Sequence, residues 1–161
     1  MSFSVGSFDS QDVSISYGQG ITPNVPGPNG SGTCPTSGTV SVQSVIIGFL
    51  TGDTSDRADT CYIYSIELDD PSEIGQSTGL VATSTGSTDS SGTTVFGNNT
   101  YIRTYSFSSN SLSPSTQYYV YYSAPQEVAY WDAGIYSGGN FYDDWLDSYS
   151  NMTSQFQVTF N

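Results

Sequence analysis

Histidine and lysine are absent from the 161 residues, and the only bases, Arg57 and Arg103, face fifteen aspartates and glutamates. Without an imidazole the chain holds no Ser-His-Asp or Cys-His pair and no histidine-based metal site. Without an amine side chain there is no Schiff base and no lysine to grip a phosphate. A net charge of -13 repels nucleic acid and anionic membrane surfaces alike, so neither is expected as a partner. No apolar run approaches the roughly 18–20 residues that span a bilayer, so no membrane insertion is expected. Met1-Ser-Phe-Ser-Val5 lacks the basic start and apolar stretch of a signal peptide. That start suits a processed or recombinant chain, or a protein that leaves its cell by lysis or inside a particle.

What remains is the composition of an all-β protein of one domain. Ser, Thr and Gly abound, thirteen Tyr and eight Phe supply bulk, and helix formers are sparse. Tyrosine suits strands because its ring covers a neighbour while its hydroxyl stays wet. Charged residues are only 11% of the chain, so solubility rests on hydroxyls and unbalanced negative charge. Such a surface points to an extracellular or cell-surface protein, with a virion structural component as the alternative. Cys34 and Cys61 are the only cysteines. A bridge between them would stabilise the fold by about 3–4 kcal/mol through loop closure, and two unrelated buried thiols are the alternative. Asn29, Asn98 and Asn151 each open a glycosylation sequon in a turn-like stretch, at a frequency close to chance for so Ser/Thr-rich a chain.

Three zones follow along the chain. Residues 1–17 carry two short alternating stretches, around Phe3-Ser-Val5 and Val13-Ser-Ile15-Ser-Tyr17, forming an N-terminal strand arm. Residues 18–38 hold ten Gly or Pro in 21 positions, a linker without regular structure of its own. Residues 39–161 read as an antiparallel β-sandwich, jelly-roll or Ig-like, with strands separated by turns. The alternating phase flips between Val42 and Val45, as a bulge would make it do. Cys61–Ile66 and Gln117–Tyr122 carry apolar or aromatic residues on both faces, and Thr93–Phe96 and Tyr101–Phe107 add further strands. Tyr118, Tyr119, Tyr121 and Tyr122 are expected to pack on a two-sided strand. The sole helical candidate is a single turn over Asp69–Ile74.

Leu112-Ser-Pro114-Ser-Thr116-Gln-Tyr118-Tyr-Val120 resembles the pre-strand motif of fibronectin type III domains, where the Tyr hydroxyl bonds back to the preceding loop. Together with Leu50-Thr-Gly52, Tyr62-Ile-Tyr64, Gly79-Leu-Val-Ala-Thr83, Tyr105-Ser-Phe107 and Phe156-Gln-Val158, the wider pattern resembles the bacterial "choice-of-anchor" surface domains. That resemblance implies an extracellular, non-catalytic sandwich. Those proteins carry a C-terminal anchor, whereas here the sequence given ends at Asn161, so attachment is expected to come from elsewhere.

Several constellations could carry function. Asp53, Asp56 and Asp59 share one loop and could offer oxygens to calcium, or could simply be solvated acids; other cofactors are not expected. Tyr130, Trp131, Tyr136, Tyr142 and Trp145 lie beside carboxylates on Gly-rich loops and could stack on sugar rings, or plug one end of the sandwich. The N-terminal arm, through Phe3, Val5, Phe8, Val13, Ile15 and Tyr17, could fold back on its own sheet or add to that of a neighbour. Repeated head to tail, the second arrangement makes a filament. The sequence therefore points to a non-enzymatic structural subunit that binds copies of itself, with a carbohydrate-binding module as the alternative.

Overall fold

A computed structural model of the chain describes residues 1–8, 10, 12–91, 96, 101–132 and 136–161. The described residues form twelve strands in two antiparallel sheets, a β-sandwich. The first sheet runs in the order β1 (Phe3–Ser7), β12 (Phe156–Phe160), β3 (Val42–Phe49), β7 (Tyr101–Ser106) and β6 (Gly86–Ser91). The second runs β10 (Ser148–Tyr149), β9 (Phe141–Tyr142), β2 (Asp12–Ile21), β8 (Tyr118–Trp131), β4 (Cys61–Tyr64) and β5 (Leu80–Thr83), with β11 (Thr153–Ser154) beside β8. Among the described residues the one helical element is a 3-10 turn, Pro71–Glu73, within the expected segment. Asp70 Oδ1 accepts from Ser72 N and Glu73 Oε2 accepts from Asp70 N, a reciprocal capping box. None is a helix long and apolar enough to cross a membrane.

Period-2 alternation sorts the side chains. On β4 and β8, Cys61, Ile63, Tyr118, Val120 and Tyr122 face the core between the sheets, with Val45, Ile47, Tyr105, Phe156 and Val158 opposite. The intervening Tyr64 and Tyr121 face outward, yet they are buried with Tyr142 under Leu68 and Leu146. The double-sided aromatic pattern of these strands thus serves two hydrophobic layers. Leu146 takes a left-handed φ of 61° to enter the outer layer, a backbone strain that burial of its side chain offsets. The phase flip in β3 is a bulge: Thr159 faces Ser44 and Phe160 faces Val42, leaving Gln43 unopposed.

At the N-terminus the strands fold back on their own body: β1 pairs with β12 over five residues, and β2 pairs with β8. Gly18–Ile21, expected as linker, complete β2 by pairing with Tyr118–Tyr121 of β8, and at Gly18 and Gly20 the neighbouring backbone comes too close for a side chain. A Cβ on Gly20 would lie 3.0 Å from Asn140 N. Thr93–Val95 lie outside the described residues. Cys34 and Cys61 are free thiols, not a bridge. Cys61 sits in β4 of the second sheet, whereas Cys34 lies on the loop lining a hollow with Phe3 and Pro26 at the β1 edge of the first. Burial pushes the Cys61 thiol well above its ordinary pKa, so it packs as a small apolar group.

Candidate functional site

β1 is held from both sides. Along one edge its register with β12 places Phe3 opposite Phe160 and Ser7 opposite Phe156. The Phe3 and Phe160 rings stack with centroids 4.8 Å apart. Along the other edge residues 26–31 fold back and complete its hydrogen bonds. Ser4 N donates to Ser31 O at 2.8 Å and Gly6 N to Pro26 O at 3.0 Å, while Ser31 N and Asn29 N donate to Ser4 O and Gly6 O. Asn29 Oδ1 then accepts from Phe8 N at 2.8 Å, and Gln155 Nε2 donates to Phe8 O at 2.6 Å. The Gly/Pro-rich segment is therefore a clasp over a sheet edge. Its glycines are required: Gly27 and Gly32 have φ of +71° and +74°. All five residues of β1 are buried.

This geometry sorts the expected arm residues into three groups. Phe3 and Val5 are core residues. Phe8 meets Phe96, with ring centroids 5.2 Å apart, and Tyr17 packs into the outer tyrosine layer. Val13 and Ile15 remain exposed on β2. Asn29 spends its side-chain oxygen on the clasp, Asn151 is exposed, and Asn98 lies outside the described residues.

The chain's two cations meet on one carboxylate that composition and spacing did not single out. Asp89, on edge strand β6, receives Arg103 Nε and Nη2 on its two oxygens at 2.9 and 2.8 Å. Arg57 Nη1 reaches Asp89 Oδ1 at 2.8 Å, and its Nη2 donates to Thr51 O at 2.7 Å. Arg103 Nη1 closes on Ala58 O at 2.7 Å, where the Tyr105 hydroxyl also donates. The Arg57 guanidinium lies 4.2 Å above the Phe49 ring centroid. The bidentate bond from Arg103, and then Arg57, hold the Asp89 carboxyl below the ordinary aspartate pKa. Nothing in the flanking Ser/Thr run signals this residue; only the inward face of β7 carrying Arg103 hints that an acid must meet it.

The loop acids and aromatics come together less than their spacing promises. Asp53, Asp56 and Asp59 are all exposed. Asp53 Oδ1 caps Ser55 N, and Asp59 Oδ1 lies 4.0 Å from Arg103 Nη1. Among the described residues no three His, Cys, Asp or Glu side chains gather to hold a metal. Tyr136 and Tyr142 are buried, so they cannot stack on a sugar. The Tyr136 hydroxyl is tied to Thr22, accepting from its N–H and donating to its carbonyl. Tyr130 is half-buried, the Trp131 side chain lies outside the description, and Trp145 stands 75% exposed. Asp143 organises that loop by accepting from Trp145 N, Asp147 N and the Tyr149 hydroxyl.

The Tyr118 hydroxyl accepts from Ser113 N at 2.8 Å, a corner closed five residues upstream. No protein-family model matches the chain, no curated protein matches it, and no solved structure matches it.

Proposed function

We propose that this chain is a non-enzymatic structural subunit of an extracellular assembly, a filament, pilus-like fibre or surface layer, whose copies exchange β1. One subunit's β1 would occupy the seat of the next, between that copy's β12 and its 26–31 clasp. The observation that carries this reading is the seat itself: a wholly buried edge strand, bonded along both edges, next to the N-terminus of the sequence given. Every copy offers the same strand and the same seat. Exchange therefore preserves each hydrogen bond and the Phe3 stack, and alters only the connection to β2. A head-to-tail exchange that does not close on itself yields a fibre. The clasp also fits this use, because it leaves β1 no bare edge on which unrelated strands could add.

Cross-strand cysteines test the exchange. Ser4 turns its own N–H and carbonyl to the clasp, so Ser4 and Thr159 form a non-hydrogen-bonded pair, in which facing Cα atoms lie closest. In a C34S/C61A background, assembled S4C/T159C protein should oxidise to a ladder of covalent multimers on a non-reducing gel. Oxidation to monomers alone would show that β1 stays with its own body. So would protein that sediments as a monomer at every concentration.

A further inference from the structure

Beside the Arg57–Asp89–Arg103 cluster lies a cavity of about 540 Å³, walled by Ile15, Phe49, Arg57 and Pro125 and rimmed by Asp56 and Glu127. On the other side of Ile15 is a second, shallower hollow of about 400 Å³ with Tyr149, Met152, Asp143 and Asp144. Ile15 forms a wall of both and is 43% exposed, and Val13 beside it is 41% exposed. Unlike the tyrosines further along β2 and β8, these two have no outer layer above them. An apolar strip on a strand face, flanked on both sides by carboxylates, is a surface that covering would stabilise.

The charge of the chain decides what can cover it. A second copy brings no lysine or histidine, and both of its arginines are committed to Asp89, with side chains 4% and 9% exposed. Docking a copy here would bring carboxylate against carboxylate. We infer that the groove on either side of Ile15 is a docking site for an extended basic segment of a different protein, with lysines or arginines alternating with apolar residues. Its apolar side chains would lie against Ile15, Val13 and Pro125, and its cations would meet Asp56 and Glu127 on one bank and Asp143 and Asp144 on the other.

The probe is a fluorescein-labelled decapeptide alternating Lys and Val, followed by fluorescence anisotropy with the full chain at low ionic strength. A Glu–Val peptide serves as the control. Saturable binding of the Lys–Val peptide alone is expected, weakening as salt is added. Ile15→Ser and the pair Asp56→Asn/Glu127→Gln, all at exposed positions, should each weaken it about tenfold. Glu67→Gln/Asp69→Asn removes the same charge outside the groove and should change affinity less than about twofold. Absence of saturable binding overturns the inference. Equal losses from the groove and control pairs also overturn it, by reducing the effect to bulk charge. A self-association that Ile15→Ser abolishes overturns it by putting a copy in the groove. The readout does not involve β1, so a failed strand exchange leaves it standing.

Discussion

Asp89 carries more than its position on a polar edge strand suggests. Two guanidiniums that are 4% and 9% exposed depend on it for their counter-charge. Removing one partner of such a cluster is costly because the remaining charges stay desolvated. Asp89→Asn should therefore destabilise the fold by about 3 kcal/mol, read from the urea midpoint at pH 7. The pH dependence has a definite sign. The folded-state pKa of Asp89 is depressed, so its stabilisation is complete above the unfolded value of about 3.9 and is lost as pH falls through the lower folded value. The Asn variant should lack that acid-side loss, so the stability gap between the two proteins narrows below about pH 4. An unchanged gap would mean that the carboxylate's charge is not what holds the arginines.

The tyrosines, by contrast, announce themselves. Runs such as Tyr62-Ile-Tyr64 and Tyr118-Tyr-Val-Tyr-Tyr122 have no polar face to expose, and the structure buries both faces. The flip in β3 and the single helical turn within Asp69–Ile74 are legible for the same reason: each is a local pattern with one geometric solution. Long-range features are not. β6 is all Gly, Ser, Thr and Asp and reads as a turn; it becomes a strand because β7 and Arg103 demand a partner. The clasp over β1 reads as free linker because its hydrogen bonds are made by main chain, which carries no sequence signal. Five aromatics close in sequence suggest one platform, but the fold sends Tyr136 and Tyr142 into the interior and leaves Trp145 in water.

At the scale of elements, the balance between β1 and its clasp sets how readily the strand leaves. Phe3 and Val5 contribute roughly 1.5–3 kcal/mol each through burial, so β1 is well held but far from inseparable. Asn29 is the clasp's one side-chain bond to the residue after β1. Asn29→Ala should cost about 1 kcal/mol, and the loss should fall on β1 rather than on the whole molecule. Hydrogen exchange would then show the Val5 and Ser7 amides, which face β12, losing about fivefold protection while those of β8 keep theirs. Uniform loss across all strands would tie β1 to the global unfolding unit and remove the local opening that exchange between copies requires.

For the whole molecule, charge sets the conditions of assembly. With a net charge of -13 and its arginines engaged internally, two copies meet as like-charged bodies whatever faces they present. Strand exchange gains no electrostatic help and must overcome that repulsion. Lowering the pH toward the isoelectric point near 4.1 protonates surface carboxylates and removes it, while Asp89, with its depressed pKa, still holds Arg57 and Arg103. Sedimentation velocity should show larger species as pH falls from about 7 to about 4.5, with folded secondary structure retained. Raising salt to about 0.5 M at neutral pH should produce much of the same growth, because screening substitutes for protonation. Below the folded pKa of Asp89 the two effects part: repulsion between copies stays low, but the subunit itself loses its buried counter-charge, and ordered assembly should give way to aggregation. Assembly that is strongest at neutral pH and low salt would require complementary charges between copies. A chain whose two cations both sit on Asp89 has none to give.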